Sequence, residues 1–341
     1  FGIAREPVVA DLRVLQLTIA APEGATGSAD IASLNNTPSA AFSQNFTIPA
    51  GQSVTIDLPD EAVNQGEVSG RGSTAIHVTS DSPVSVVGYN WRQYSSDSWL
   101  AIPTPSLGTS YQLAGYERVG RGYEIDFGVI AVESGTTDFT YVGEAGWTPR
   151  DSGDENPQTS ATMPEQGWVD LEFLISQSGA QLDSTRPVAV VSGSRCANVP
   201  FDFGTCDHLI EQMLPTFALA SEYVAAPIAT RPRGSLYRVI ATVDNTLVTI
   251  NGQQYAPIDD GEVFDQVVTG PVHIVASQPV VALQYTVGSR FDADLQPAER
   301  QGFEYGDPFM VQLPPVDNFL SDYVFTVLDG DIYPPLAPPR I

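Results

Sequence analysis

Several short runs of the chain alternate polar and apolar side chains with a period of two. Ser53-Val-Thr-Ile-Asp-Leu58, Trp168-Val-Asp-Leu-Glu-Phe173 and Thr246-Leu-Val-Thr-Ile250 all do so. That period places every second side chain on the buried face of a strand whose other face meets water. Turn signals separate the runs, notably Asn251-Gly252 and Asp260-Gly261, where glycine supplies the positive φ of a tight hairpin. A helical period appears only briefly, over Asp207 to Met213. The pattern predicts a mainly β fold.

A longer repeat is superimposed on the short one. Asp81-Ser-Pro-Val-Ser-Val-Val-Gly88 returns as Thr185-Arg-Pro-Val-Ala-Val-Val-Ser192 and as Ser277-Gln-Pro-Val-Val-Ala-Leu-Gln284. After each comes an Arg (Arg92, Arg195, Arg290), an acidic residue (Asp97, Asp207, Asp307), a Pro (Pro103, Pro215, Pro314) and a Tyr (Tyr111, Tyr223, Tyr323). A second recurrent element, Phe127-Gly-Val-Ile-Ala-Val132 and Tyr237-Arg-Val-Ile-Ala-Thr242, lies upstream, with weaker relatives at Leu12 and Tyr323. Self-similarity at such a period marks a repeat architecture. The expected organisation is a tandem of three antiparallel β-sandwich-like units over 10–122, 123–231 and 232–322, each the size of a small domain. Residues 1–9 are expected to form an N-terminal arm, and 323–341 the start of a further strand and a proline-rich, polyproline-type tail.

Length and composition agree with several cores rather than one. A chain of 341 residues with 42% hydrophobic residues exceeds what a single core usually fills. The net charge is -26, and all 15 basic residues are Arg, with no Lys. Such a surface repels phosphate backbones and anionic lipid, so nucleic acid is excluded as a partner class. No window approaches a membrane span, so no membrane insertion is expected. The amino terminus lacks an initiator Met and a hydrophobic leader, as in a mature or trimmed secreted chain. The lysine-free, acidic composition also fits a bacterial source.

Cys196 and Cys206 are the two cysteines, ten residues apart around a Pro and a Gly. They are expected to form a disulfide and to place the chain in an oxidising compartment. A zinc site would need about four ligands, and a redox pair a closer spacing. His77 and His273 sit in strand contexts, whereas His208 follows Asp207 and precedes Glu211, giving a candidate polar site at His208 and Glu211. No nucleophile elbow, P-loop or dinucleotide fingerprint is present, and no enzyme activity is expected. Calcium is the ion that best suits the acidic loops, with candidate ligands Asp151, Asp154, Asp259, Asp260, Asp292 and Asp294. None matches an EF-hand, so these loops read first as solvated turns and no cofactor is expected. The recurrent Arg and Asp are expected to pair within each unit, Arg92 with Asp97, Arg195 with Asp207 and Arg290 with Asp307. The sequons at Asn35 and Asn45 fit an exposed extracellular face.

Taken together, Ser80-Asp-Ser-Pro-Val-Ser-Val-Val-Gly88, Tyr94-Ser-Ser-Asp97, Leu100-Ala-Ile-Pro-Thr104, Leu107-Gly-Thr-Ser-Tyr111, Pro187-Val-Ala-Val-Val-Ser-Gly-Ser-Arg-Cys196, Cys206-Asp-His-Leu-Ile-Glu-Gln212 and Tyr237-Arg-Val-Ile-Ala-Thr-Val-Asp-Asn-Thr246 resemble the amino-terminal domain of the IgG Fc-binding protein family, which has bacterial surface homologues. The segment from Cys206 to Gln212 is the most specific part. The resemblance covers most of residues 10–325 and implies an extracellular, non-enzymatic binding or adhesion module. Its expected ligand is a glycoprotein, mucin-like or matrix component, a protein or glycan at a surface. The alternative expectation is a structural subunit of an extracellular filament, sheath or surface layer, with copies of itself as partners through terminal arms and sheet edges.

Overall fold

A computed structural model of the chain describes residues 13–32, 41–59, 71–72, 75–92, 95–116, 125–143, 160–163, 167–173, 177–229, 231–295, 308–321 and 323. The expected arm at 1–9 and all of the tail except Tyr323 lie outside them. Strands dominate, and short 3-10 segments of three to seven residues punctuate them. A first group holds β1 (Arg13–Ala21), β2 (Ala25–Ile31), β3 (Phe42–Ile48), β4 (Gln52–Asp57), β5 (Arg71–Gly72), β6 (Ile76–Ser80), β7 (Ser85–Arg92) and β8 (Ser95–Leu100). A second holds β9 (Gly108–Gln112), β10 (Ile125–Ala131), β11 (Thr137–Val142), β12 (Ser160–Met163), β13 (Trp168–Phe173), β14 (Gln181–Ala197) and β15 (Asp207–Gln212). A third holds β16 (Ala220–Ala225), β17 (Ser235–Ala241), β18 (Val248–Ile250), β19 (Gln253–Gln254), β20 (Val263–Val268), β21 (Val272–Tyr285) and β22 (Met310–Gln312).

All pairings are antiparallel, and one order of pairing occurs in each group. β1 lies between β4 and β7, β10 between β13 and β14, and β17 between β20 and β21. Likewise β2 lies between β3 and β6, β11 between β12 and β14, and β18 between β19 and β21. β8, β15 and β22 then flank β7, β14 and β21. β9 and β16 pair forward, with β14 and β21, although their residues precede the expected boundaries at 122 and 231.

The Pro-Val motif marks where one strand changes partners. The first half of β14 pairs with β11 and the second half with β10, and Pro187 falls at the register shift between Asp183 and Val188. Pro279 stands at the corresponding shift in β21. Proline donates nothing to a ladder, so it is tolerated only where the ladder breaks. Around Pro83 the strand is interrupted outright, into β6 and β7.

Alternation survives where one face is wet: in β4, Ile56 is buried between exposed Thr55 and Asp57. It is lost in β15, whose six residues are all buried. The helical period read over Asp207–Met213 is therefore corrected to a strand covered on both faces, where continuous burial removes the period-two signal. The first group has its own core, centred on Leu17, Ile19, Phe46 and Ile56. The second and third share one, in which Phe127, Phe139, Leu182 and Val190 pack with Leu236, Ile240, Val281 and Tyr285, and the third has another of its own around Tyr223, Tyr237, Val248 and Ile274.

A connector recurs between groups. Pro103 precedes a 3-10 turn at Thr104–Ser106, then Leu107 and β9; Pro215 precedes Thr216–Ala218, then Leu219 and β16. In each a tyrosine hydroxyl closes the turn. Gly108 N–H donates to Tyr111 Oη at 3.0 Å, and that hydroxyl donates to the Val188 carbonyl at 2.6 Å. Ala220 N–H donates to Tyr223 Oη at 3.0 Å, and that hydroxyl donates to the Val280 carbonyl at 2.6 Å.

Candidate binding loop and the junctions behind it

The loop from Cys196 to Cys206 leaves β14 at a bulge between Ser194 and Ala197 and returns as β15. The two cysteines are disulfide-bonded, with Cα atoms 5.1 Å apart. Val199 is buried as a plug, and its carbonyl accepts the Gly288 N–H at 2.6 Å. The Phe203 ring stands edge-on to Phe291 of the third group at 4.8 Å, and Arg233 covers Phe291 at 5.7 Å. The loop is thus fixed at its base by the cystine and at its side by a neighbouring segment. At its tip Phe201 remains 51% exposed, and Phe203 36%. Exposed aromatics on a rigid frame are the usual anchors of protein recognition. Converting Cys196 and Cys206 to Ser is expected to cost about 2–3 kcal/mol, because the closed loop is short; guanidinium denaturation of oxidised and variant protein would measure it.

Behind the loop lies a buried carboxylate cluster that joins the first two groups. Asp207 Oδ1 accepts from Ser95 Oγ at 2.5 Å and from the Ser96 and His208 N–H groups. Asp97 Oδ2 accepts the Ile210 N–H at 2.9 Å, and its other oxygen accepts the Ser98 N–H. Burial drives the Asp97 carboxyl well above the usual range, against those two hydrogen bonds, with the Glu211 and Asp207 charges adding to the rise. Glu211 is pushed up to about 8, by burial first, while the Gln312 and Gln212 N–H groups pull the other way. Its acid is therefore mostly protonated at neutral pH. Glutamines complete the clamp: Gln212 Oε1 accepts the Ile102 N–H at 3.1 Å, and Gln312 Oε1 the Leu214 N–H at 2.8 Å.

The second and third groups meet at Arg238, a residue only 1% exposed. Its Nε and Nη2 make a two-pronged pair with Asp265 at 2.8 and 2.7 Å. Nη1 donates to the Gly115 carbonyl at 2.6 Å and to Ser178 Oγ at 3.1 Å, and the guanidinium lies 4.5 Å from the Tyr116 ring centre. Close backbone approach seals the same seam: a Cβ on Gly179, at φ +91°, would run into the Gly261 carbonyl.

The model of the family described as IgGFc binding protein matches residues 97–333, from β8 through the third group. The chain belongs to this family. It is 26% identical over 295 residues to the human IgGFc-binding protein, covering 84% of this chain and 5% of the relative. It therefore spans a small part of that relative's length. No solved structure matches it.

Within this IgGFc-binding family chain, the residues singled out from sequence fall into different places. Arg195 Nε pairs with Asp126 Oδ2 of β10 at 3.2 Å, a partner that the sequence reading did not find. Asp97 and Asp207 serve the junction rather than a pair within each unit. Arg290 is exposed and lies against Gly204 of the cystine loop. The side chain of Arg92, and Asp307, lie outside the described residues, so those two expected pairs do too. His208 and Glu211 are both buried, but three residues apart on a strand they point to opposite faces. His208 Nδ1 faces the Ser194 carbonyl at 3.2 Å. The expected polar site is thus not assembled. Asp259 and Asp260 belong to a self-bonded turn, where Asp259 Oδ1 accepts the Asn245 N–H and Asp260 N–H donates to Asp244. Asp292 is buried against Arg231 at 3.7 Å. Asp151, Asp154 and the Asp294 side chain lie outside the described residues. Among the described residues, no three His, Cys, Asp or Glu converge as a metal site, and no helix is long and apolar enough to cross a membrane.

Proposed function

We propose that the chain is an extracellular, non-enzymatic binding module that grips a surface glycoprotein, mucin-like or matrix protein through the tip of its cystine loop. The observation that carries this reading is the pair of exposed rings, Phe201 and Phe203, on a loop fixed by a disulfide and by Phe291. Rigidity lowers the ordering cost of binding, and the disulfide fits an oxidising compartment. Family membership supports a protein ligand, and the relative's name makes IgG Fc one ligand to try. A microbial surface is the setting that the lysine-free, acidic composition favours. The test is surface plasmon resonance on immobilised IgG Fc and on mucin glycoprotein, with the parent and a Phe201→Ala/Phe203→Ala double variant. Binding by the parent and a loss of about tenfold or more in the variant, ~1.4 kcal/mol or above, is the expected result. Equal binding by both proteins would remove the loop from the interface, and no binding to either ligand would remove the proposed ligand class.

A further inference from the structure

We infer that Asn251 is a latent modification site: the native hairpin restrains its side chain, and release of that hairpin lets Asn251 cyclise onto Gly252 and end as aspartate or isoaspartate. Asn251 and Gly252 form the two-residue tip between β18 and β19, with φ of +50° and +82°. These are the two positive values that such a tight turn requires. Both residues are exposed, and a Cβ on Gly252 would meet nothing within 4 Å. Gly252 thus has neither a side chain of its own nor a close neighbour on that side to crowd a ring formed at its nitrogen. This is the one Asn-Gly step in the sequence.

Two hydrogen bonds restrain the carboxamide. Its Oδ1 accepts the His273 N–H at 2.8 Å, and its Nδ2 donates to the Pro271 carbonyl at 3.1 Å. The Asn251 N–H adds a third tie, to the His273 carbonyl at 2.9 Å. All three fasten the tip to the start of β21. Ring closure needs both a new side-chain rotamer and a new backbone angle at Asn251, because the attacking nitrogen must stand over the carbonyl carbon in a near-attack geometry. It cannot begin until those bonds give way. Asn245 shows the contrast: its φ is also positive, at +58°, but Thr246 follows it. The branched side chain of Thr246 crowds the amide, whose N–H is bonded to the Ile258 carbonyl at 2.8 Å.

The reaction needs only solvent. Hydroxide takes the Gly252 amide proton, the nitrogen bonds to Asn251 Cγ, and the Cγ–Nδ2 bond breaks, with Nδ2 leaving as ammonia after taking a proton from water. Water then opens the succinimide at either of its carbonyls. Both products lose the donor to the Pro271 carbonyl and gain a negative charge. Isoaspartate also lengthens the main chain by one carbon, so the tip no longer joins β18 to β19 in the register Ile250 to Gln253. The change is therefore self-locking: a hairpin that has opened once and reacted does not close as before. No residue of the cystine loop takes part, so this site and the proposed binding tip stand or fall separately.

The full chain, incubated in mildly alkaline buffer both native and in guanidinium, would be followed by peptide mapping with mass spectrometry and by an isoaspartate-specific methyltransferase assay. Position 251 should convert about tenfold or more faster in the unfolded chain, since in the native one the tip must first open against its side-chain hydrogen bonds. Guanidinium too dilute to change the circular dichroism should already raise the native rate, as local opening of the hairpin requires. Asn251→Gln, whose longer side chain cannot close the five-membered ring, should stay unmodified at this position in every arm, including the unfolded one where its folding does not matter. Equal rates in the native and unfolded chains, or an unfolded chain that keeps Asn251 intact, would overturn the inference.

Discussion

Arg238→Ala should destabilise the chain by about 2–3 kcal/mol, because a buried guanidinium loses its charge-assisted hydrogen bonds while its partner Asp265 stays exposed to water. The loss falls on several groups at once. Asp265 loses its two-pronged partner, and the Gly115 carbonyl and Ser178 hydroxyl each lose a donor. The Tyr116 and Tyr285 rings lose the cation between them. Lysine cannot replace the two-pronged contact, so Arg238→Lys should recover only part of the loss. Arg238→Met/Asp265→Asn, which removes both charges, should lie closer to the parent than Arg238→Ala does. Urea denaturation read by tyrosine and tryptophan fluorescence would rank the four proteins. An alanine variant within 1 kcal/mol of the parent would mean that the seam is held by its apolar core.

Glu211→Gln should flatten the pH dependence of stability between about pH 4.5 and 8. The sign follows from the elevated acid: the folded state holds the Glu211 proton up to about 8, while the unfolded chain releases it near the ordinary value of 4.5. Over that window the folded protein binds more protons, so its stability falls as pH rises. The contribution is fully present below the unfolded value and gone above the folded one. Asp97 works in the same direction through its own burial. Glutamine keeps the shape and accepts from the Gln312 and Gln212 N–H groups without a charge to bury. Its advantage at pH 8 should be on the order of 2–4 kcal/mol, since each pKa unit corresponds to about 1.4 kcal/mol, and should vanish near pH 4. Melting temperatures of both proteins from pH 4 to 9 would show converging curves at the acid end. Parallel curves would place the Glu211 proton elsewhere.

The β class was legible because alternation is a local property, written into runs such as Ser53–Leu58. The Pro-Val motif was also legible, although its physical meaning, a strand changing partners where a donor is missing, emerges only from the pairing of β14 with both β10 and β11. Tyr111 and Tyr223 were found by their recurrence, but the carbonyls they reach lie 77 and 57 residues away. Arg238 was missed because its partners are scattered, with Gly115 standing 123 residues off. One signal was available, a lone cation within the otherwise apolar run Leu236–Ala241. The expected Arg–Asp pairs failed to anticipate Asp126 for a similar reason. Adjacency along the chain favoured partners in the next loop, whereas a strand's nearest polar neighbour is across the ladder. The carboxylate cluster needed the packing of β8 on β15 to appear, since 41 acidic residues offer no contrast by themselves.

The cores divide the molecule differently from the strands. Three groups share one pairing order, but one apolar mass spans the second and third, beside a further core of the third group's own, while the first keeps its own. What links the first group to that mass is the pairing of β5 with β13 and a thin layer of Trp99, Val191 and Ile210 beside the proton-holding carboxylates. The joint between the first and second groups is therefore the one that carries buried acids. Mechanical load along the chain would be felt first at the joint whose strength depends on the acidity around it.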